Sequence, residues 1–451
     1  MICSILGGIT YSLLILFIFV FLIYSLFEKE LRAFLRSGLV LLILTCIYSV
    51  LFIFSPEVKT WFFAGVFGLS VVVILGIAVS SKPRSPVKIT GEQKKVDERD
   101  TIFARFDLEN NSEKYNKYYS EHKEHFVIDE EIRKLNDILD PNFIKKDPVF
   151  FSLAAAEFNF CEQQLHGVDG NETASRFERS AEENTRMVKN VINYLGSDLS
   201  GICKLDQVYV YSHVGRGPEP YGSKIECRHK YAIVFAVEMR ADMINCAPQA
   251  PVIVESAKQY VEVAKISIIS ASLIRRLGYP ARAHISESNY QVMATPLAWK
   301  AGLGEIGRMG ILITKKYGPR IRLGVITTDL SLIPDEPVVF GVQDFCRKCH
   351  KCAENCPSKA IPSGEKLEEN GVLKWVIKRE ECYRYWRKVG TDCSRCIMVC
   401  PYSKPNNLLH NIIRNLISRS AVAQTISVKG DDFFYGRYPK KKQPPPLGLN
   451  Q

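Results

Sequence analysis

The run CRKCHKCAENCPSKAI, from Cys346 to Ile361, decides how this chain is read. Its thiols follow C-x2-C-x2-C-x3-C-P, a spacing in which one tight loop turns three thiolates toward a [4Fe-4S] cube while the fourth reaches a neighbouring cube. A second run, Cys382, Cys393, Cys396 and Cys400 before Pro401, reads C-x10-C-x2-C-x3-C-P and supplies four more ligands. Cross-ligation assigns Cys346, Cys349, Cys352 and Cys400 to the first cluster, and Cys356, Cys382, Cys393 and Cys396 to the second. The wide first gap of the second run implies an insertion around Tyr383 to Val389. Zinc also takes paired cysteines, but eight thiols with two Cys-Pro endings fit iron–sulfur cubes better. The expected work is low-potential electron transfer.

The other six cysteines (Cys3, Cys46, Cys161, Cys203, Cys227, Cys246) are scattered and read as buried, small apolar residues. With 451 residues, 47% hydrophobic and 24% charged, the chain is long enough for two or three domains. Its formal charge of +11 comes without a basic stripe interleaved with aromatics, so no nucleic-acid partner is expected. The positive residues instead flank apolar segments, the pattern of a membrane protein.

Residues 1–81 read as an anchor of three transmembrane helices, with spans at about 9–27, 39–54 and 61–80. Lipid is therefore an expected partner. No basic stretch precedes the first apolar segment and further spans follow it, which argues against a cleaved signal peptide. Lys29, Arg32 and Arg36 follow the first span, Lys59 alone follows the second, and Lys82, Arg84, Lys88, Lys94 and Lys95 follow the third. That bias predicts a multi-pass cell-membrane protein with its N-terminus outside and the bulk of the chain in the cytoplasm.

Residues 82–142 read as a linker followed by a charged segment that wraps a core built later. From 143 to 337 helical and strand patterns mix: helix over 174–195, strand over Tyr231–Met239, helix over Val252–Leu277, strand over Ile321–Thr327. The expected class is α/β. A ferredoxin-like two-cluster domain over 338–410 and a C-terminal tail over 411–451 complete the chain. Gly302, Gly304 and Gly307 spell G-x-G-x-x-G, but they follow a helix ending and no acidic residue stands at the ribose position, so a nicotinamide site is not expected. These glycines read instead as backbone lying close against a large flat ligand.

Several stretches resemble the reductive dehalogenases: Asn289, Thr295-Pro296-Leu297-Ala298, AGLGEIGRMG (Ala301 to Gly310), YGPRIRL (Tyr317 to Leu323), TTDL (Thr327 to Leu330) and FGVQDFCRKCHKCAENCPSKAI (Phe340 to Ile361). VDERDTIFAR (Val96 to Arg105) and DDFFYG (Asp431 to Gly436) extend the likeness over nearly all of the chain after the anchor. A weaker likeness is to epoxyqueuosine reductase, which has GWIGKN where this chain has Gly304 to Met309. The resemblance implies a base-off corrinoid (cobalamin) in a nitroreductase-like α/β domain beside the nearer cluster. It implies conversion of a small organohalide R-X, two electrons and a proton to R-H and halide, with a quinol-linked, ferredoxin or flavodoxin donor. None of the eight histidines has an aspartate two residues earlier, so D-x-H-x-x-G is absent and offers no lower axial ligand.

By alignment with the family, its acidic tyrosine falls on Tyr260, one helical turn after Ser256, its asparagine on Asn289, and its arginine on Arg322, with Arg308 competing. Ser256, Gly302, Gly304, Gly307, Trp375 and Tyr385 are the expected cofactor neighbours, and Trp375, Tyr385 and Trp386 are also candidates for walling a substrate pocket. Familiar members carry an export signal and use a separate small anchor protein, whereas this chain has its own spans. A membrane-bound two-cluster electron carrier without corrinoid, or an epoxyqueuosine-reductase-like enzyme, are the alternatives.

Overall fold

The computed structural model describes residues 2–51, 53–285 and 290–444, so Asn289 lies outside the described residues. The chain forms two compact units. The first comprises Met1–Ser85, Phe340–Cys349 and Pro405–Pro439, and the second Pro86–Val339, His350–Lys404 and Lys440–Gln451.

In the first unit, α1 (Ile2–Phe27), α2 (Leu31–Leu51) and α3 (Pro56–Val79) are, among the described residues, long and apolar enough to cross a membrane. They start several residues before the apolar stretches read from sequence; for α2 the added residues include Leu31, Arg32, Ala33, Leu35 and Arg36, which are good helix formers. Their hydroxyls turn back onto their own helix: Thr10 Oγ1 donates to Leu6 O at 2.8 Å and Ser12 Oγ to Gly8 O at 3.0 Å. That satisfies polar atoms where lipid offers no partner. Tyr11 instead donates to Leu44 O of α2 at 2.7 Å and packs among Tyr48, Phe62 and Phe63.

Composition gives 411–451 the look of a tail, yet this region holds most of the helix Leu408–Ile417 and all of the helix Ala421–Phe434. Phe434 and Tyr435 pack with Phe21, Tyr24, Ala33 and Leu409 in a small core. Glu28, just past α1, accepts from Asn407 Nδ2 at 2.6 Å and lies 3.0 Å from His410 Nε2.

The second unit is built on an antiparallel sheet of β1 (Leu199–Lys204), β2 (Tyr231–Glu238), β3 (Ala281–His284) and β4 (Ile321–Thr328), in the order β1-β2-β4-β3 among the described residues. Strand β2 is apolar from Tyr231 to Val237 because both of its faces are covered. Ile233, Phe235 and Val237 point into a core with α4 (Pro148–Gln163), α5 (Ala181–Tyr194) and α6 (Pro251–Arg276). Ala232, Val234 and Ala236 point the other way, toward α7 (Ala294–Lys300) and the chain before β2. Gly324 of β4 stands opposite Phe235, and a Cβ there would lie 2.3 Å from the phenyl ring, so glycine makes room for the core aromatic. Helix α5 begins later than the sequence pattern suggests. Ser180 and Glu183 close a reciprocal capping box, which fixes the first turn there and leaves 174–179 outside.

The charged segment after the linker belongs to this unit. Lys88–Ile89 pairs with Val372–Lys374, and the Arg105 side chain, 1% exposed, lies 3.2 Å from Asp129 and 2.8 Å from Glu380. These contacts make the linker and the charged segment part of this unit's packing.

Candidate active site and cluster ligands

Two periodicities converge in the second unit. Residues directly opposite on neighbouring strands share a face, so Arg322, paired with Val237, projects from β4 toward α6. Ser256 and Tyr260 are four residues apart on α6 and so stand one above the other on one face. The Arg322 guanidinium carbon accordingly sits 5.1 Å from the centre of the Tyr260 ring, within cation–π range. Arg322 Nη2 donates to Ser256 Oγ and to Asp392 Oδ2, the latter at 2.6 Å, and Ser256 Oγ donates to the same carboxylate oxygen.

Burial works against the charge on Arg322, but Tyr260 and Asp392 outweigh it and hold the guanidinium above its ordinary pKa. Burial pushes the Asp392 carboxyl up, against the pull of Arg322, Ser256 and Thr391. The fit is incomplete: Arg322 Nε is buried with no hydrogen-bond partner among the described residues. Around the group, Tyr290 donates to Leu323 O at 2.7 Å, and its phenol is pushed up by burial, with Tyr260 adding to the shift and Arg322 opposing it. Burial also pushes Tyr211 up to about 12. Glu255, on α6 beside Ser256, accepts from Arg240 N and Gln259 Nε2, each at 2.8 Å. Glu157 of α4 is pushed up to about 7 by burial and by Glu255, and its Oε2 is buried without a partner among the described residues.

The cluster ligands are arranged by a repeated turn. His350, between Cys349 and Cys352, and Ser394, between Cys393 and Cys396, both adopt left-handed backbone (φ 54° and 47°) and both open a short helix. Non-glycine residues rarely adopt this conformation, and it recurs within both C-x-x-C pairs. Within the second unit the predicted second set comes together. Burial pushes Cys382 up to about 11 and Cys393 to about 12, and Cys356 raises both further. Cys396 is raised well above its ordinary value by burial, then by Cys393, Cys382, Cys352 and Cys356. Cys356, Cys382, Cys393 and Cys396 thus lie within electrostatic reach of one another, a donor set that suits a cubane, which binds them as thiolates. Cys382 lies on the helix Arg379–Val389, which runs on through the stretch from Tyr383 to Val389. Cys346 and Cys349 belong to the first unit, where they are buried on the helix Val342–Cys349.

Residues 345–404 match the family model for the 4Fe-4S dicluster domain. A tetrachloroethene reductive dehalogenase of Desulfitobacterium hafniense is 31% identical over 340 residues, covering 65% of this chain and 60% of the relative. One from Sulfurospirillum multivorans is 30% identical over 284 residues, covering 55% and 56%. The chain is a homologue of the reductive dehalogenases. It spans about 60% of the length of the first of these relatives. Among solved structures, the catabolic reductive dehalogenase NpRdhA matches with a TM-score of 0.63 at 23% identity, over 84% of this chain and 56% of that one, and shows the shared fold.

In this dehalogenase homologue Tyr260, Ser256 and Arg322 lie together, whereas Arg308 is used elsewhere. Its side chain, 1% exposed, donates to Pro362 O and Gly364 O at 2.9 Å each and stacks over Trp375 at 4.5 Å. Arg308 and Trp375 thus hold the 362–364 turn. Gly302 and Gly304 lie against the protein's own backbone, where a Cβ would come 2.6 Å from Glu336 O and 2.3 Å from Ile313 O. Gly307 closes a turn, its N–H donating to Ile311 O at 3.0 Å. Internal packing therefore accounts for Gly302 and Gly304. Tyr385 lies near Cys393, Cys356 and Arg395. Asp392 and Tyr290 were missed by the sequence reading, although the first precedes a predicted ligand and the second follows Asn289.

Proposed function

We propose that this protein is a membrane-anchored, corrinoid-dependent reductive dehalogenase that replaces halogen by hydrogen in a small organohalide. The observation that carries the reading is the Tyr260–Arg322–Asp392 group, enclosed beside a cluster-ligand loop. The side chains of Arg322 and Asp392 keep 18% and 10% of their surface accessible although protein surrounds them, and Arg322 Nε lacks a partner. A partly accessible arginine with an unused buried N–H suits a bound group there. When bound, the corrinoid supplies the cobalt centre that passes two electrons to the carbon–halogen bond.

The remaining chemistry falls to side chains. An ordinary phenol, with a pKa near 10, is a weak acid at neutral pH, and a cation over its ring favours the phenolate it leaves behind. Arg322 in this role assists Tyr260 in giving its hydroxyl proton to the carbon that loses halide. Asp392 and Ser256 fix the guanidinium plane, and Tyr211 and Tyr290, kept protonated by burial, help to close the space against water. Asn289 is assigned to substrate or corrinoid contact by family likeness alone.

Electrons reach this space through a cluster on Cys356, Cys382, Cys393 and Cys396, with the other on Cys346, Cys349, Cys352 and Cys400, the latter argued from spacing alone. The donor is a low-potential carrier, quinol-linked or of the ferredoxin or flavodoxin type. Positive flanks of the apolar helices support a cytoplasmic catalytic region in a cell-membrane protein.

Anaerobic preparation followed by metal analysis tests the reading. About eight irons and one cobalt per chain support it, and eight irons without cobalt or corrinoid uptake leave only an electron carrier. Tyr260→Phe should abolish dehalogenation with both clusters spectroscopically intact, and unchanged turnover would remove Tyr260 from the mechanism.

A further inference from the structure

Apart from the chemistry above, one cluster of ligating side chains in the second unit has no assigned use. Asp100 ends the short turn Glu98–Asp100, His122 terminates the helix Glu113–Glu121, and His125 lies in the first turn of the helix Lys123–Arg133. One ligating atom from each lies within 4.8 Å of the other two. We propose that Asp100, His122 and His125 form a binding site for a divalent transition metal of the zinc class, with water in the fourth position.

Two imidazoles and one carboxylate leave a position open, the composition of an open zinc site. His122-x-x-His125 sets both imidazoles on one side of the joint between the two helices. His122 Nδ1 is 3.8 Å from Asp100 Oδ1. The Tyr118 hydroxyl donates to Asp100 Oδ1 at 3.0 Å and lies 2.8 Å from His125 Nδ1, so without metal a single hydroxyl bridges two of the three ligands. The His122 ring rests on the Tyr118 ring, 4.5 Å between centres and 17° between planes. The guanidinium of Arg105 lies close enough to His125 to oppose a positive charge there. The repulsion from Arg105 is tempered by Asp129 and Glu380, to which that guanidinium is paired. Glu124 Oε1, 3.4 Å from His122 Nδ1, adds negative charge at the rim.

Tetrahedral zinc needs ligating atoms about 3.3 Å apart. Binding would draw the three groups in by roughly an ångström and swing His122 off Tyr118. The effect would be to clamp the turn at Asp100 to the joint between the two helices, fixing a segment that packs through Arg105 against Asp129 and Glu380.

The test uses the full chain, purified anaerobically in detergent with its iron in place and dialysed against micromolar zinc. Elemental analysis should find about one zinc per chain more in the wild type than in the double variant His122→Ala/His125→Ala, at equal iron content. Asp100→Asn should weaken zinc binding by at least about tenfold. His125→Asn, which keeps a polar partner for Tyr118 and so guards against simple misfolding, should also lose the zinc. Equal zinc in the wild type and in all these variants, with iron unchanged, would overturn the proposal and leave a Tyr–His–Asp hydrogen-bond network.

Discussion

Asp392→Asn is the perturbation that most directly tests the group at the centre of this protein. The side chain keeps its shape and an oxygen acceptor but loses its charge. Asp392 Oδ2 accepts from Arg322 Nη2 at 2.6 Å and from Ser256 Oγ, in an environment with little water. A hydrogen bond to a charged group contributes about 1.5–3 kcal/mol and a neutral one about 0.5–1.5 kcal/mol. The substitution should therefore lower stability by about 1–2 kcal/mol, more if the guanidinium, now unpaired, stays buried. Two of its fixed hydrogen bonds define the arginine's place over Tyr260, so its drift by an ångström would reduce turnover by about a hundredfold. The assay is reductant-driven dehalogenation under anaerobic conditions, read alongside thermal unfolding and iron content. Wild-type turnover and unfolding temperature in Asp392→Asn, at full iron, would refute the argument that this carboxylate holds Arg322. Lost turnover with lost iron would implicate the Cys393 loop instead.

Arg308→Met should destabilise the fold by about 2–4 kcal/mol, because it leaves Pro362 O and Gly364 O without their donor. Turnover per iron-loaded chain should be retained, and a selective loss of turnover in the folded variant would return Arg308 to the reaction. Glu157→Gln concerns pH. The carboxyl is raised to about 7, so between its unfolded value near 4.5 and 7 the folded state binds the extra proton and stability falls as pH rises. The neutral variant should flatten that slope and stabilise the protein above pH 7 by about 1–2 kcal/mol after solvent screening, as denaturant melts at pH 5.5 and 8 would show. An unchanged slope would mean that Glu157 is already ionised at pH 5.5.

Much of the fold was legible because its elements have strong local signatures. The apolar run of β2 and the long apolar-faced α6 come within a residue or so of their observed ends, at Tyr231–Glu238 and Pro251–Arg276. Cysteine spacing singled out Cys356, Cys382, Cys393 and Cys396, which the second unit brings together. The two helices near the C-terminus were not legible from composition, since Lys, Asp and aromatic residues there average out, while the pattern Leu409, Arg414, Ile417 of buried positions carries the signal. The choice between Arg308 and Arg322 could not be made locally either. Both follow glycine-rich or turn sequences, and only the fold shows one clasping carbonyls and the other facing a tyrosine.

The neighbourhood of Asp392 and Cys393 suggests why such a site is built from distant segments. Cys393 and Cys396 flank Ser394, which has left-handed backbone, and Ser394 Oγ donates to Asp392 O at 2.9 Å. The preceding side chain reaches Arg322 on β4 and Ser256 on α6. A displacement of this loop would therefore move a cluster ligand and the arginine's anchor together, whereas separate supports would let them move independently. Electron delivery and proton delivery must meet at one carbon if halogen is to be replaced by hydrogen. If Cys393 and Cys396 hold a cube and Arg322 serves Tyr260 as proposed, a short loop gripped by the sheet and the long helix keeps the two sources in register, and lengthening the chain between Thr391 and Cys393 should uncouple them even if all four thiols still bound iron.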